Sequence, residues 1–413
     1  MTTTMTSGAQ PLVAPAPLHL GSVDALFADS SVHDVEVRIN PTDWQTLKDH
    51  YLDDTYYPAD VAIDDVVVRN AGIKSRGSGS RSGVKPGLKV DFGQYVSGQQ
   101  LLGLKSLVLR NNTQDPSNMH ERLGMLLYTR LGMPAPREVY ARFWVNKEYA
   151  GLYTIVESMD KSLLQRVFGE SDGYFFSYDY PSGAAPFYFE YRGSDPALYV
   201  PTPFSPETRS SDPQPETIER WVEAVNLSSD AAFRNTVTPY IDLKAFVRFV
   251  AVEAFIADDD GVLGNWGMDN FYMYRRQDKT LFTLLPWDKS DAFIVGPEAS
   301  VWHNILDVPP AVQNRLMARA LAFPDVAGAY VDALRDCIVA VSTADPARAD
   351  GTGWLESEID REYGQIRDLA HADANKPFTN DQFEQSVTAL VDFARRRSDF
   401  VKADIARVSL PTD

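Results

Sequence analysis

Apolar and polar residues alternate along much of the first part of the chain. In VEVRI, which starts at Val35, and in LKVDF, which starts at Leu88, every second residue is apolar. This alternation is typical of strands that bury one face. The segment 60–77 predicts a hairpin with Asp64 and Asp65 at its turn. We therefore expect the first part of the chain to consist mainly of strands.

One long helix is expected among these strands, in the segment DPSNMHERLGMLLYTRLG. Asp115 is suited to cap it, Pro116 to occupy its first position and Gly132 to end it. Its apolar residues recur at helical spacing on one side, namely Met119, Leu123, Leu126, Leu127 and Leu131. Two strands, EVYARFWVN and AGLYTIVE, follow the helix, and we expect a tight turn at Lys147 and Glu148 between them.

From about Pro215 the apolar pattern becomes helical, with one hairpin, NFYMYRRQDKTLFTLLPWD, inside it. Residues 174–214 are rich in Tyr, Phe, Pro and Ser and predict an irregular insert. Strands in the first half and helices in the second predict an α+β fold with two lobes. The expected divisions are a flexible tail at 1–30, an N-lobe at 31–157 and a C-lobe at 158–413.

Amino-acid composition and net charge limit the kinds of protein and partner that fit this sequence. The content of 44% hydrophobic and 23% charged residues is that of a soluble globular protein, and no apolar run reaches the roughly 18 residues of a transmembrane helix. The net charge of −18 disfavours nucleic acid and favours a basic protein partner. The N-terminal residues show no secretory signal, so a cytoplasmic location is the default expectation. The single cysteine, Cys337, excludes an intrachain disulfide and indicates a buried structural thiol.

Candidate chemistry concentrates in AFIADDDGVLGNWGMDNFYMYRRQDKTLFTLLPWDKSDAF. A helix ends at Ile256, an acidic loop follows, and a hairpin delivers Asp288 at its end. Phosphoryl transfer needs carboxylate and amide oxygens to hold Mg²⁺ and a further carboxylate to orient the acceptor hydroxyl. The five-residue spacing from Asp260 to Asn265 matches the catalytic-loop spacing of protein kinases, although the HRD and DFG motifs are absent. A solvated acidic turn is the alternative.

The first half offers groups for a triphosphate. A loop of small and basic residues could cradle phosphates, or could simply be flexible, and it consists of Arg76, Gly77, Ser78, Gly79, Ser80 and Arg81. Lys85 and Lys89 lie on the same face of an extended segment, and either could reach the phosphates or remain a surface lysine. Glu121 of the long helix could form the Lys–Glu ion pair of kinases, or could be an exposed helix residue.

These segments resemble the CotH family of atypical kinases, first associated with bacterial spore coats and also present as fungal surface proteins. The resemblance rests on KSRGSGSRSGVKPGLKVDF, VNKEYAGLYTIVE, DNFYMY and PWD, and it extends over about residues 35–407. It implies a two-lobed protein-kinase-like fold that binds ATP and Mg or Mn between the lobes. It also implies transfer of the γ-phosphate to Ser or Thr of a protein, and a spore-coat or cell-surface location.

The resemblance also implies roles for residues of the acidic segment. Asp288 of PWD would be the principal metal ligand, and Asn265 or Asn270 would complete the metal shell. Asp260 would be the catalytic carboxylate, for which its neighbours Asp258 and Asp259 are alternatives.

In the first half, the resemblance implies that Lys85 contacts phosphate, with Lys89 as its substitute and Glu121 as its helix partner. Glu157 would contact the adenine or ribose.

One departure from the family pattern concerns metal binding. Members often have PWDxD, whereas here Asp288 is followed by Lys289, Ser290 and Asp291, so the second carboxylate is displaced by one residue. Lys289 could compensate charge in the site. The displaced carboxylate favours a second hypothesis, a pseudokinase-like scaffold that binds a partner protein without turnover. A third hypothesis is a kinase-fold enzyme that transfers AMP or glutamate, because the fold does not fix the reaction.

Overall fold

The computed structural model describes residues 17–178, 186–265, 267–293, 304–306, 314–346 and 348–407. The chain divides into two compact units, each made of separate stretches. The first unit comprises Met1–Pro116, Arg137–Ser158 and Glu362–Glu384. The second comprises Ser117–Pro136, Met159–Arg361 and Gln385–Asp413. Strands and helices are both abundant, which confirms the α+β class.

The alternating segments of the first unit close into a seven-stranded barrel of order β1-β2-β3-β4-β5-β7-β6. The strands are β1 (His33–Ile39), β2 (Tyr57–Ile63), β3 (Val66–Ser75), β4 (Leu88–Asp91), β5 (Ser106–Arg110), β6 (Glu138–Val145) and β7 (Glu148–Glu157). β1 pairs in parallel with β6, and the other neighbours are antiparallel. Leu88, Val90 and Phe92 are all buried, which confirms that they share a face.

Part of the predicted N-terminal tail is folded. Helix α1 (Val23–Leu26) lies within it, and Leu20, Leu26 and Phe27 belong to the apolar core of the barrel. Since burying such side chains removes apolar surface from water, this stretch is held by the hydrophobic effect. Residues 1–16 lie outside the described residues.

The turn between β6 and β7 lies one residue earlier than predicted. Val145 pairs with Glu148, so the two central residues are Asn146 and Lys147. Both adopt positive φ, 50° and 74°. Such a two-residue turn matches the right-handed twist of a hairpin, and Asn accepts positive φ more readily than most residues.

The second unit contains most of the helices. Its helices are α3 (His120–Arg130), α4 (Lys161–Phe168), α5 (Glu216–Leu227), α6 (Asp230–Val237), α7 (Leu243–Phe255), α8 (Arg315–Ala320) and α9 (Pro324–Ser342). Two further helices, α10 (Trp354–Ala372) and α11 (Asn380–Arg407), have residues in both units. Helix α2 (Pro41–Asp49) belongs to the first unit.

The long helix α3 begins later than predicted. Met119 is its N-cap and makes no side-chain capping bond, so Asp115 does not cap the helix. Asn118 has a φ of 61°, which is incompatible with a right-handed helix and ends any helical turn before Met119. Gly132, with a φ of 75°, follows the last turn as expected.

The aromatic insert contributes two strands that were not predicted. Strands β8 (Tyr174–Tyr178) and β9 (Phe204–Pro206) join the hairpin β10 (Phe271–Arg275) and β11 (Thr283–Pro286) in a sheet of order β11-β10-β8-β9. Aromatic side chains stabilise this pairing, since the rings of Tyr178 and Phe204 are centred 5.5 Å apart. Residues 179–185 of the insert lie outside the described residues.

Two expectations from composition can be compared with the structure. Cys337 is buried in α9, as predicted. No helix in the described stretches is both long and apolar enough to cross a membrane.

Candidate active site

The acidic loop of the second unit starts where helix α7 ends. Ala257, with a φ of 55°, turns the chain out of the helix. The loop folds back on Glu253, whose Oε2 accepts a hydrogen bond of 2.9 Å from the N–H of Val262. Gly261 is required here, because a Cβ at this position would lie 2.6 Å from Cδ of Glu253. The helix end therefore fixes the position of the three aspartates that follow it.

Lys289 is a buried cation that ties this loop to the hairpin. Its Nζ lies 2.8 Å from Oε1 of Glu253 and 2.7 Å from Oδ2 of Asp258, and its side chain is fully buried. Burial alone would lower the pKa of Lys289, but the two carboxylates raise it above its usual value. Lys289 therefore neutralises part of the negative charge of this loop. Its ion pair engages the carboxylate of Asp258, one of the three candidate catalytic carboxylates.

Asp260 lies against Asn270, which has a φ of 56° just before strand β10. Nδ2 of Asn270 donates to the carbonyl oxygen of Asp260 at 2.9 Å and to its Oδ2 at 2.8 Å. Burial is the largest of the effects that raise the pKa of Asp260 to about 8, and the nearby carboxylates of Asp269, Asp258, Asp291 and Asp288 supply the rest. The negative field around Asp260 is therefore only partly neutralised by protein groups.

Asp288 stands just after strand β11, with a φ of 43°. Its Oδ1 accepts a hydrogen bond of 2.7 Å from Oγ of Ser290, and the carbonyl oxygen of Ser290 lies 3.1 Å from Nδ1 of His120. Burial and, after it, the charge of Asp288 raise the pKa of Asp291 to about 6. The displaced second carboxylate thus remains close enough to Asp288 to influence its electrostatics.

The donor chemistry of this cluster suits a hard cation, since carboxylate and amide oxygens are the ligands of Mg²⁺ and Mn²⁺. The raised pKa of Asp260 indicates uncompensated negative charge that a cation would relieve. Within the described stretches, however, no group of three or more His, Cys, Asp or Glu side chains is arranged to hold a metal ion. We therefore assign no coordination geometry.

Asn265 and Asn270 occupy different surroundings. The side chain of Asn265 is exposed, while its N–H donates to the carbonyl oxygen of Asp259 at 2.9 Å. Its own carbonyl oxygen accepts from the hydroxyl of Tyr188 at 3.1 Å. The structure thus brings Asn270, and not Asn265, to Asp260 through its side chain.

Among the phosphate-binding candidates of the first unit, Lys85 is buried. Its Nζ lies 2.7 Å from Oδ2 of Asp373 and donates to the carbonyl oxygen of Leu152 at 2.9 Å. Burial lowers the pKa of Lys85, an effect that Asp373 opposes. The carboxylate that pairs with Lys85 therefore comes from Asp373, which the sequence argument did not consider.

Lys89, unlike Lys85, is only half-buried. Its neighbours along β4, Leu88 and Val90, belong to the barrel core, so Lys89 points away from it. In the described part of the chain, no hydrogen bond or ion pair engages its ammonium group. The role of phosphate ligand stays a prediction for both lysines, but only Lys89 has a half-exposed, unengaged ammonium group.

The loop at 76–81 is held at its ends. Arg81 donates from Nε to the carbonyl oxygen of Gly77 at 2.8 Å and from Nη2 to Oδ1 of Asp54 at 2.8 Å. Its guanidinium group therefore shapes the loop. Within the described residues, the backbone N–H groups of 77–80 donate no hydrogen bond, which leaves those of Gly77 and Ser78 available to an anion. Arg76 donates its N–H to the carbonyl oxygen of Gly87 at 2.9 Å.

The two remaining candidates are glutamates. Glu157 is buried and accepts three hydrogen bonds from Arg137, through the N–H at 3.1 Å, Nε at 3.3 Å and Nη2 at 3.1 Å. Its contact with adenine or ribose stays a prediction. Glu121 is buried in the first turn of α3 in the second unit, and its pairing with a lysine is likewise untested.

Comparison with known proteins assigns the family. The model of the CotH kinase protein family matches residues 73–401, most of the chain. The chain belongs to this family. It is also 22% identical over 365 residues to the inner spore coat protein H of Bacillus subtilis (strain 168), an alignment that covers 88% of this chain and 95% of that protein. The family predicted from the sequence motifs is thereby confirmed.

Proposed function

We propose that this CotH-family chain is an ATP-dependent protein kinase that transfers the γ-phosphate to Ser or Thr of a protein, with Mg or Mn. The observation that carries the proposal is the clustering of Asp260, Asn270 and Asp288 at the end of the hairpin, within the segment that the family model matches. We also propose that the two compact units act as the lobes of a kinase-like fold that binds ATP.

The proposed reaction assigns one role to each acidic residue. The hydroxyl oxygen of the acceptor Ser or Thr forms a bond to the γ-phosphorus, the bond from that phosphorus to the β–γ bridging oxygen breaks, and ADP leaves. Asp260 takes the hydroxyl proton, and Asn270 fixes its carboxylate. Asp288 and the side-chain oxygen of Asn270 would hold a metal ion, which would neutralise phosphate charge.

For the triphosphate we propose Lys89 as the cationic ligand, together with the N–H groups of Gly77 and Ser78. Lys85 is excluded from our proposal, because moving its ammonium group to a phosphate would leave the buried carboxylate of Asp373 unpaired. The name of the relative from Bacillus subtilis leads us to propose association with a spore coat.

The test is transfer of label from γ-labelled ATP to the chain itself or to a basic protein, with Mg²⁺ or Mn²⁺. Asp288→Ala and Lys89→Ala should each lower labelling by at least about 100-fold, the range seen when charge-stabilising groups are removed. The matched control for Asp288 is Asp278→Ala, an exposed aspartate in the turn of the same hairpin, which should keep full labelling. Unaltered thermal unfolding would show that each variant is folded.

Two results would contradict the proposal. Labelling that persists in Asp288→Ala would show that the metal centre is wrongly assigned. Mass spectrometry could instead find AMP or glutamate on the product in place of phosphate. The assignment of the nucleotide site would then stand, but the assigned reaction would be wrong.

A second candidate, the pseudokinase-like scaffold, is favoured by one observation. Lys289 occupies the position after Asp288 and places a fixed positive charge on the acidic loop. If the chain is such a scaffold, Mg-ATP should give no labelling, and a shift of the unfolding temperature with Mg-ATP would separate a retained nucleotide site from an empty one.

A further inference from the structure

The first unit contains a cavity that the kinase proposal does not use. It has a volume of about 480 Å³, within the range of about 300–1,000 Å³ typical of small-ligand pockets. Helix α2, the β6–β7 turn and Asn375 border it. We name it the α2 pocket, and the lining residues used below are Trp44, Gln45, Lys48, Glu148, Tyr149 and Asn375.

Two aromatic rings of the α2 pocket are held in place by the fold. Trp44 is half-buried and packs against the barrel core. Tyr149 is half-buried, its hydroxyl donates to the carbonyl oxygen of Leu369 at 3.0 Å, and its ring is centred 5.3 Å from that of Trp144. Nζ of Lys48 lies over the Trp44 ring, 6.0 Å from its centre, so a ligand that stacks on Trp44 would share this ring with the ammonium group.

Planar polar groups stand beside the rings. Nδ2 of Asn375 donates to the carbonyl oxygen of Ala150 at 2.9 Å, and Nε2 of Gln45 donates to Oδ1 of Asp49 at 2.8 Å. These bonds orient both amides. In the described residues no hydrogen bond engages their side-chain oxygens, nor the exposed carboxylate of Glu148. The pocket therefore presents two oriented amide oxygens and one exposed carboxylate as acceptors.

The aromatic, amide and charged side chains of the pocket together favour one class of ligand over others. Lys48 and Glu148 carry opposite charges, so their charges balance and do not favour a phosphate or another anion. A wholly apolar ligand would leave the amides and charges of the wall without partners. A pyranose ring suits both kinds of wall, because its C–H face stacks on an aromatic ring while its hydroxyl groups donate to amide and carboxylate oxygens.

We propose that the α2 pocket binds an oligosaccharide, with Trp44 and Tyr149 as stacking surfaces and Gln45, Glu148 and Asn375 as hydroxyl acceptors. This site would hold a glycan by the first unit alone, and the proposal does not depend on the kinase proposal. It would give the chain a means of attachment to a glycan-bearing surface.

The test applies the full chain to an array of bacterial, fungal and plant glycans, followed by calorimetry with the soluble oligosaccharide that binds. Trp44→Ala should weaken binding at least about tenfold, the scale of about 1.4 kcal/mol expected for one aromatic contact. Trp44→Phe keeps a ring face and should restore most of the affinity. Leu52→Ala, an exposed apolar residue outside the pocket lining, is the matched control and should bind normally.

Three outcomes would overturn the proposal. One is an array without a bound glycan, and another is equal affinity of folded Trp44→Ala and the parent chain. The third is a change in tryptophan fluorescence, absent in Trp44→Phe, that a proline-rich peptide produces in the parent chain and that no glycan produces, since aromatic grooves also bind such peptides. Autophosphorylation should be unchanged in Trp44→Ala, which keeps this test separate from that of the kinase proposal.

Discussion

At the scale of single residues, Asp260 links the candidate site to stability. Its pKa is raised to about 8, whereas an unfolded aspartate has a pKa of about 3.9. Its stabilising contribution is therefore fully present below about pH 4 and is lost as the pH rises through about 8. Asp260→Asn keeps an oxygen for Asn270 and removes the charge, so it should raise the unfolding temperature at pH 8 more than at pH 5.

The measurement is thermal unfolding in the absence of divalent cations, where each kcal/mol corresponds to about 1 °C for a chain of this length. Asp278→Asn, an exposed aspartate of the same hairpin, is the control and should show no such pH dependence. An equal effect of Asp260→Asn at both pH values would show that the native carboxyl has an ordinary pKa.

Lys289 gives a second prediction at this scale. Lys289→Met leaves Glu253 and Asp258 buried without their counter-ion, and removal of one partner of a buried ion pair costs about 3–5 kcal/mol. We expect that loss in urea unfolding at pH 7. Adding Asp258→Asn to the same chain should recover part of it, because one of the unpaired charges is then gone.

Lys105→Met, at an exposed lysine, is the control for loss of a positive charge and should stay within about 0.5 kcal/mol of the parent. If Asp258→Asn instead adds its full cost to that of Lys289→Met, the two side chains do not interact, and the buried ion pair is wrong.

At the scale of elements, the buried carboxylate of Asp373 holds the connection between α10 and α11 against strand β7. Oδ2 of Asp373 contacts Lys85 and accepts from the N–H of Leu152 at 3.1 Å, and Oδ1 accepts from the N–H groups of Asn375 at 2.9 Å and Lys376 at 3.1 Å. Gly151 makes this approach possible, since its Cβ would lie 2.5 Å from Oδ2 of Asp373.

Asp373→Asn should therefore destabilise the chain by about 3 kcal/mol or more, because Lys85 is left buried without a counter-charge. Denaturant unfolding measures the loss. Asp368→Asn changes an exposed carboxylate of α10 and should have little effect. Equal stability of the two variants would refute the fastening role of Asp373.

The same elements explain how far the sequence could predict the structure. Strands β1, β2 and β4 followed from alternation, because each buries one face and so repeats every two residues. Strands β5, β6 and β7 are buried along most of their length, so their apolar runs and not alternation indicated them. The start of α3 did not follow from the sequence, since the positive φ of Asn118 interrupts the helical conformation after Asp115, and the capping preference of Asp115 does not indicate it. The pairing of Lys85 with Asp373 joins residues 288 positions apart, which no local pattern can signal.

The residues of the candidate site likewise divide into those that the sequence indicated and those that it did not. The PWD motif pointed to Asp288 and the acidic run to Asp260, because local sequence places both at the ends of regular elements. Spacing favoured Asn265, whereas the structure brings the side chain of Asn270 to Asp260. Glu253 was missed, although it is the one acidic residue in the otherwise largely apolar α7, a pattern that indicates a buried ion pair.

At the scale of the whole molecule, the net charge of −18 predicts how the proposed enzyme selects its substrate. A negative field attracts basic chains over long range, and this steering acts on association more than on the chemical step. A peptide with Lys and Arg around its acceptor Ser should therefore have a lower KM than the same peptide with Glu at those positions, with similar kcat.

The dependence of KM on salt distinguishes this long-range attraction from close contacts at the acceptor site. From about 0.1 M to about 1 M ionic strength the Debye length falls from about 10 Å to about 3 Å, which screens long-range attraction but leaves buried contacts almost unaffected. The KM of the basic peptide should rise several-fold over this range and approach that of a neutral peptide, while its kcat stays constant. If the preference for the basic peptide persists at high salt, it arises from close contacts at the acceptor site, and the overall charge of the chain does not determine the choice of substrate.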